Sequence, residues 1–170
     1  MKTGAPVIGL IDSAGLRLQE ATDALNAFGE VYMKQTLASG VIPQITAIFG
    51  NCGGGLALVP TLTDFTFMES KKAKLFVNAP NALAGNEISK CDTSAADFQS
   101  EKVGIVDAVA EEAEIFAEIR ELVNMLPANN EDTDSYIECA DDLNRVCADL
   151  AACVGDTAIA LSHIADDNYF

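Results

Sequence analysis

Three consecutive glycines, Gly53 to Gly55, constrain the fold of this chain more than any other feature. The apolar residues 41–49 before them suit a buried strand, and a helical pattern runs from the glycines to about residue 61. Glycine has no Cβ atom, so a ligand can approach the peptide N–H groups of such a strand-to-helix turn directly. The helix N-terminus adds unpaired donors and a positive dipole end. The segment therefore predicts a place that stabilises negative charge on an oxygen atom.

The glycines admit two other interpretations. A turn that only lets a helix pack closely on a strand remains open, because glycine serves that purpose as well. A nucleotide phosphate loop is disfavoured, because no Gly-Lys-Ser/Thr sequence follows and residues 56–59 offer no metal-binding hydroxyl.

A second turn of the same kind lies about forty residues earlier in the chain. A short apolar strand, residues 6–11, runs into Asp12, Ser13, Ala14 and Gly15, and a helical pattern follows. If the two turns lie side by side, each can present an N–H group to the same thioester or carbonyl oxygen.

Four segments resemble motifs of the biotin-dependent acyl-CoA carboxyltransferases, in the order and spacing of that family. The first runs from Pro6 to Glu20 through the Asp12-Ser13-Ala14-Gly15 turn. The resemblance extends over roughly residues 5 to 130. The other three segments are residues 37–45, 51–55 and 60–68.

The resemblance implies an α/β, crotonase-like fold of repeated ββα units that holds an acyl-CoA in a backbone oxyanion hole. Gly54 and Gly55 fall on the family's glycine pair, and Ala14 and Gly15 on the second donor turn. Gly53 belongs to the same ligand-binding loop. The family implies no metal, no tightly bound cofactor and no side-chain base, because biotin on a carrier protein brings the carboxyl group and takes the α-proton.

Some positions depart from the family pattern. Ala14 and Leu16 replace a glycine and an alanine, so the first turn is expected to differ slightly. Gly53 replaces an alanine, and we expect this exchange to be neutral. Residues 87–97 lack the family's histidine, which leaves the role of that segment open.

The chain is short beside the family's two-domain polypeptides. We expect residues 1–127 to form a partial acyl-CoA domain and residues 128–170 an acidic helical linker toward a missing biotin-binding domain. The expected partners are acyl-CoA, a biotin carboxyl carrier protein, the biotin-binding carboxyltransferase domain and other copies of the chain. Two alternatives remain open: a decarboxylase subunit, or a non-catalytic fragment or assembly subunit that is inactive without its partner domain.

Charge is distributed unevenly along the chain, whose net charge is −16. Residues 1–90 carry seven basic and seven acidic side chains, whereas residues 91–170 carry three and nineteen. This balance disfavours nucleic-acid binding and places anionic coenzyme A on the neutral half. Lys71, Lys72 and Lys74 are the candidate phosphate ligands, with a solvated turn as the alternative.

No apolar run is long enough for a membrane span, and the first residues show no secretion signal. The five cysteines form no Cys-x-x-Cys pair, so we expect free thiols and a cytoplasmic protein. Cys52 is interpreted as structural, because no base is near it in sequence. The cysteines are Cys52, Cys91, Cys139, Cys147 and Cys153.

Periodicity predicts further elements beside the glycine loops. Helices are expected over residues 18–38, 111–126 and 143–154, with strands at 75–77 and 105–109. The apolar face of the last helix either docks on another domain or subunit or packs back on the body. His163 is interpreted as a structural or interface residue, because no carboxylate or serine partner is identifiable.

Overall fold

The computed structural model describes residues 2–79, 82, 91–132, 142, 144–148, 150–152 and 155–165. The chain divides into two compact units, residues 1–135 and 136–170. The roles predicted for residues 1–127 and 128–170 stay predictions.

A parallel sheet forms the first unit, as the alternation of strand and helix patterns predicts. The strand order is β1-β2-β3-β5, and β4 pairs with the end of β2 beyond β3. All strand pairs are parallel, so their carboxyl ends lie along one edge of the sheet. The strands are β1 Val7–Ser13, β2 Gln44–Gly53, β3 Phe65–Glu69, β4 Lys74–Phe76 and β5 Ala108–Ala110.

Helical segments connect and cover the strands. The helix predicted over residues 18–38 is a 3-10 turn, Leu18–Glu20, followed directly by α1. A short helix α2 continues into a π-helical turn, Gln99–Val103. The α-helices of this unit are α1 Ala21–Ala38, α2 Ala96–Phe98 and α3 Glu112–Met125.

The core lies on both faces of the central strand β2, because successive side chains of a strand point to opposite faces. Ile45 and Ala47 pack toward the Ile115 and Ile119 side of α3. Ile48 and Cys52 join the opposite cluster, with Met68 of β3. Both faces of β2 are thus covered, as is usual for a parallel sheet.

The helix predicted over residues 111–126 is confirmed as α3. Glu111 and Glu114 form a capping box, in which each side chain accepts a hydrogen bond from the other residue's backbone N–H group. Buried Ile115 and Ile119 provide the predicted apolar face.

The segment around the glycines differs from the prediction in two ways. Strand β2 begins at Gln44 and continues through Gly53, four residues beyond the predicted end. No α-helix follows it; the chain forms two 3-10 turns, Gly54–Leu58 and Pro60–Leu62. Proline has no N–H group to donate and so does not continue the first turn into an α-helix.

The described residues of the second unit do not form the helix predicted over residues 143–154. Among its described residues, 144–148 are not helical and a 3-10 turn spans Leu150–Ala152, while Leu143, Cys153 and Val154 lie outside the described residues. Val146, predicted on the apolar face, is 88% exposed. A short helix without a surface for its apolar face is unstable. The helix that forms is α4, Thr157–Ile164. Asp156 caps its N-terminus by accepting a hydrogen bond from the Ile159 N–H group at 3.2 Å.

Candidate functional site

The two glycine turns lie against each other at the carboxyl ends of β1 and β2. Ser13 pairs with Cys52 in the parallel ladder, so the residues that follow each strand leave the sheet at the same level. A Cβ atom built on Gly15 would lie 3.1 Å from the carbonyl oxygen of Gly53 and 3.9 Å from Cα of Gly54. The adjacency inferred from the sequence is therefore present in the structure.

Two glycines of these turns adopt backbone conformations that other residues rarely take. Gly15 has φ +125° and Gly54 has φ +62°. A side chain at either position would be strained even where space is available. At Gly54 no atom lies within 4 Å of an added Cβ, so backbone conformation alone favours glycine there.

An irregularity in the β1–β2 pairing places the ends of the two strands, and so the two turns, opposite each other. Ile11 pairs with Ile48 and Ser13 with Cys52, so β2 bulges by two residues between these points. The Asp12 carboxylate accepts a hydrogen bond from the Asn51 N–H group at 3.0 Å inside the bulge. A Cβ on Gly50 would lie 2.0 Å from Asp12 Oδ1, so glycine leaves the space that this carboxylate occupies.

The expected neutrality of alanine at position 53 is wrong for this chain. A Cβ on Gly53 would lie 2.7 Å from the carbonyl oxygen of Ala14 and 2.7 Å from Cε2 of Phe76. Real Cβ atoms essentially never approach that closely, and one of the two neighbours is backbone. Gly53 thus allows the closest approach of the two turns.

Helix α1 anchors the second turn through a side chain that the sequence analysis placed only on an apolar face. The Tyr32 hydroxyl donates a hydrogen bond to the carbonyl oxygen of Gly55. Its ring stacks on Phe28, with centroids 5.9 Å apart. Burial raises the pKa of Tyr32, so the hydroxyl stays a donor at neutral pH. Fixing the Gly55 carbonyl also orients the Leu56 N–H group, because both belong to one planar peptide.

The first turn is held by Ser13. Its hydroxyl accepts a hydrogen bond from the Gly15 N–H group at 3.4 Å and donates to the Gly15 carbonyl at 3.3 Å. Both distances are at the long end for hydrogen bonds, so an oxygen of a ligand can compete for the Gly15 N–H group.

A cleft of about 590 Å³ opens beside the two turns. All four predicted donor positions line it, together with residues from the start of α1 and the segment before it. In the described part of the chain, no lining residue is charged, and Thr22 contributes the one side-chain hydroxyl. The lining residues are Ala14, Gly15, Leu16, Leu18, Ala21, Thr22, Leu25, Gly54 and Gly55.

The three candidate phosphate-binding lysines lie at the other edge of β2, and none lines the cleft. Lys71 pairs with the Glu111 carboxylate, which raises the pKa of Lys71 and lowers that of Glu111. Lys74 pairs with Asp92 at 2.7 Å. Lys72 makes no ion pair with the described residues, so it is the lysine of this group whose charge is available to a ligand.

Cys52 does not provide a nucleophile at this site. Cys52 is fully buried, and burial raises the pKa of its thiol to about 12, so it stays protonated. Cys52, Cys91 and Cys147 are free thiols, while Cys139 and Cys153 lie outside the described residues. His163 lies in α4 of the second unit. The described residues contain no cluster of three or more potential metal ligands.

Comparison with known proteins identifies the family. The sequence profile of the carboxyl transferase domain matches residues 1–160. The carboxyltransferase subunit of propionyl-CoA carboxylase from Haloferax mediterranei is 40% identical over 160 residues, which cover 92% of this chain and 31% of that protein. The alpha subunit of methylmalonyl-CoA decarboxylase from Veillonella parvula is 39% identical over 149 residues, which cover 85% of this chain and 29% of that protein.

Solved structures agree with the sequence matches. The transcarboxylase 12S crystal structure, a hexamer with hydrolysed methylmalonyl-CoA bound, superimposes with a TM-score of 0.80 at 30% identity, covering 99% of this chain and 34% of that chain. The beta subunit of geranyl-CoA carboxylase from P. aeruginosa gives a TM-score of 0.63 at 26% identity, covering 72% and 24%. The expected crotonase-like α/β fold is confirmed. The chain spans about a third of the length of the curated relatives that it matches. It belongs to the carboxyl transferase domain family.

Proposed function

We propose that this chain binds an acyl-CoA and stabilises its enolate, as the acyl-CoA part of a biotin-dependent carboxyltransferase. The observation that carries the proposal is the contact between the two turns, in which a Cβ on Gly15 would lie 3.1 Å from the Gly53 carbonyl oxygen. The N–H groups of Gly54 and Gly55 and those of the Ala14–Gly15 turn supply the hydrogen bonds to the thioester oxygen. Gly53 keeps the turns close enough to serve one oxygen atom.

The chemistry of the cleft suits this role. Loss of the α-proton places negative charge on the thioester oxygen, and donors already in position stabilise that charge without reorganisation. Apolar walls strengthen those hydrogen bonds by excluding water. Biotin on a carrier protein supplies the carboxyl group, as CO2, and the nitrogen base for the α-proton. The cleft fits a base brought from outside, because no described lining residue carries a carboxylate, imidazole or amine.

The partners follow from the same proposal. A biotin carboxyl carrier protein and a biotin-binding carboxyltransferase domain complete the reaction, and further copies of the chain complete the assembly. The transcarboxylase relative is a hexamer, which supports oligomerisation. None of the helices in the described part of the chain is long and apolar enough to cross a membrane. We propose a cytoplasmic location, which the free thiols of Cys52, Cys91 and Cys147 support.

We propose Lys72 as a ligand of the coenzyme A phosphates, and its lack of an ion pair with the described residues supports this role. Lys71 and Lys74 are already paired with carboxylates, so their contribution requires those ion pairs to open.

Decarboxylation is the second candidate function. The methylmalonyl-CoA decarboxylase relative is 39% identical, close to the 40% of the carboxylase relative. Both reactions pass through the same enolate, so the turns serve either direction. Supplying propionyl-CoA or methylmalonyl-CoA to the chain together with its biotin-dependent partners distinguishes them by which compound is consumed.

Two glycine variants test the proposal with matched backbone strain. Gly54 and Gly40 have φ of +62° and +71°, and an added Cβ meets nothing within 4 Å at either. Gly40 lies at the opposite end of the sheet, between α1 and β2. Gly54→Val and Gly40→Val should therefore lose similar stability. Carboxyl transfer, assayed with the complementing biotin-binding domain and a biotinylated carrier, should fall about 100-fold for Gly54→Val alone. Valine keeps its N–H group, but the strained backbone at position 54 should turn that group away from the thioester oxygen, with the usual effect of losing one oxyanion donor.

Three results would contradict the proposal. Equal turnover in the two variants would show that the Gly54 turn does not contact the reacting oxygen. Turnover by the chain without any biotin-binding domain would remove that domain from the mechanism. Absence of turnover in the completed assembly of wild-type chain would favour the alternative of a non-catalytic assembly subunit.

A further inference from the structure

Helix α1 begins at a residue with an unusual backbone conformation. In the described part of the chain, Ala21 is the one non-glycine residue with a positive φ. Its φ and ψ are +41° and −113°, whereas helical residues have values of about −63° and −42°. A side chain is strained in that region, which glycine enters freely. Ala21 follows the 3-10 turn Leu18–Glu20 directly, so the strain lies at the junction of two helical segments.

The break at Ala21 divides an apolar pattern that is continuous in the sequence. Leu18, Ala21, Leu25 and Phe28 are three or four residues apart, which is the spacing of one face of a single helix. Residues of 3-10 and α-helices have similar dihedral angles. A change in φ and ψ of Ala21 alone would therefore join both segments into the continuous helix that the sequence predicts over residues 18–38.

Exposed, local contacts hold the segment before Ala21 in its bent conformation. We refer to residues 16–20 as the strap, and its last four residues are exposed. Within the strap, the Glu20 N–H group donates a hydrogen bond to the Arg17 carbonyl at 3.1 Å. The Arg17 and Glu20 side chains form an exposed ion pair, and such pairs contribute little to stability. A strained residue persists only where its surroundings hold it firmly, so the bent strap and a straight one should be close in free energy.

The strap borders the cleft beside the glycine turns. Leu16 and Leu18 line that cleft, and Gly15 directly precedes the strap. The hydrogen bonds between Ser13 and Gly15 are long, at 3.3 and 3.4 Å, so they resist a displacement of this turn only weakly. A movement of the strap therefore changes the wall of the cleft and shifts the Ala14–Gly15 turn.

We propose that the strap is hinged at Ala21 and exchanges between the bent conformation and a continuation of helix α1. This exchange opens and closes the cleft and moves the Ala14–Gly15 turn with it. Rearrangements of this size in helices take place in microseconds to milliseconds. The exchange needs no ligand, so its test does not depend on the proposed function.

Glycine and valine at position 21 should shift the exchange in opposite directions. Ala21→Gly removes the strain and favours the bent strap, whereas the branched side chain of Ala21→Val disfavours a positive φ and favours the continuous helix. In NMR spectra of the 170-residue chain, a nuclear Overhauser effect between Hα of Gln19 and the Thr22 N–H group should appear in Ala21→Val and be absent in Ala21→Gly. The wild-type Gly15 amide signal should lie on the line between its positions in the two variants, as for two states in fast exchange.

Ala27 provides matched controls, because it is an exposed alanine inside α1. Ala27→Gly should lower the Tm by about 2–4 °C, since glycine weakens a helix interior. Ala21→Gly should instead raise the Tm by about 2 °C through the relief of strain. Ala27→Val should leave the Gly15 amide signal in place.

Each measurement has a result that would overturn the proposal. An equal loss of Tm in Ala21→Gly and Ala27→Gly would show that Ala21 is not strained. The same Gln19–Thr22 effect in both Ala21 variants would show that the strap does not straighten, and an unmoved Gly15 signal would show that it does not shift the turn.

Relaxation dispersion decides the question if Ala21→Val fails to fold. The Gly15 and Thr22 amides of the wild-type chain should then show exchange that Ala21→Gly abolishes. Dispersion that is absent from the wild-type chain, or that persists in Ala21→Gly, would overturn the proposal.

Discussion

The glycine turns follow strands β1 and β2, and the lysine turn, residues 71–74, follows β3, but the two regions differ in the groups that they present. At the glycine turns the proposed functional groups are backbone N–H groups, and a Cβ added to Gly15 or Gly53 would lie within 3.1 Å of a backbone oxygen of the other turn. At the lysine turn they are ends of long side chains, and Lys71 and Lys74 already bind carboxylates. In this chain, a motif whose groups belong to the backbone therefore predicts the geometry of a site better than a motif of charged side chains.

The largest effect should come from filling the contact between the glycine turns. Gly53→Ala places a Cβ 2.7 Å from the backbone oxygen of Ala14, and overpacking of this kind costs about 2–3 kcal/mol. Gly54→Ala, the control in the same loop, has open space and should cost about 1 kcal/mol through its backbone conformation. Urea denaturation measures both free energies of unfolding. If alanine at 53 is tolerated as well as at 54, the close contact between the turns is not as described.

A smaller effect should follow from releasing the anchor of the second turn. Tyr32→Phe removes the hydrogen bond to the Gly55 carbonyl and should lower the free energy of unfolding by about 1 kcal/mol. The amide signals of Gly55 and Leu56 should shift in NMR spectra, because their shared peptide is no longer held. Thr36→Val is the control, since the Thr36 hydroxyl bonds the Tyr32 carbonyl on the exposed side of α1 at 2.9 Å. Shifts of equal size in both variants would argue against a specific anchor.

The smallest effect should come from the lysine turn and depends on pH. Burial raises the pKa of Asp92, but hydrogen bonds from Lys74 and Ser94 outweigh it, so the pKa lies below its ordinary value. A carboxylate with a lowered pKa in the folded state stabilises the fold above its unfolded pKa, near 4, and this contribution disappears as the pH falls through the folded pKa.

Replacing Lys74, the ion-pair partner of Asp92, tests this pH dependence of stability. Lys74→Met should reduce the stability gained between acid and neutral pH, as measured by urea denaturation across that range. Asp92→Asn should remove the Asp92 contribution altogether. An unchanged pH profile in both variants would show that the ion pair contributes nothing to stability.

The sequence predicted the elements that depend on local pattern. Helix α3 has the predicted bounds to within a residue or two, since its apolar spacing and capping box are contained in one segment. The positions of Gly54 and Gly55 beside Ala14 and Gly15 followed from motif spacing and parallel pairing. Where periodicity indicated a helix over residues 143–154, the described residues show a single 3-10 turn, because a pattern does not specify the surface that a helix needs.

Contacts between distant side chains were not predictable in the same way. The periodicity predicts only that Tyr32 lies on an apolar face of a helix. Its functional contact is made by the hydroxyl, which donates a hydrogen bond to the carbonyl oxygen of Gly55, 23 residues away in sequence. The Asp12 carboxylate enters the β2 bulge and accepts a hydrogen bond from the Asn51 N–H group, 39 residues away in sequence. The types of these two residues do not by themselves indicate this contact. Such contacts depend on register and side-chain conformation, which arise only when the strands are paired.

The pairing of β1 with β2 has a consequence for how the cleft comes into existence during folding. The residues that meet at the two turns are about forty positions apart, and every strand pair of the sheet is parallel. Closing such long loops makes folding slow and places their pairing late, after local helices have formed. The cleft is therefore absent from any partly folded state in which β1 is undocked. If acyl-CoA is the ligand, as we propose, it binds only the docked form and should stabilise the folded chain against undocking of β1.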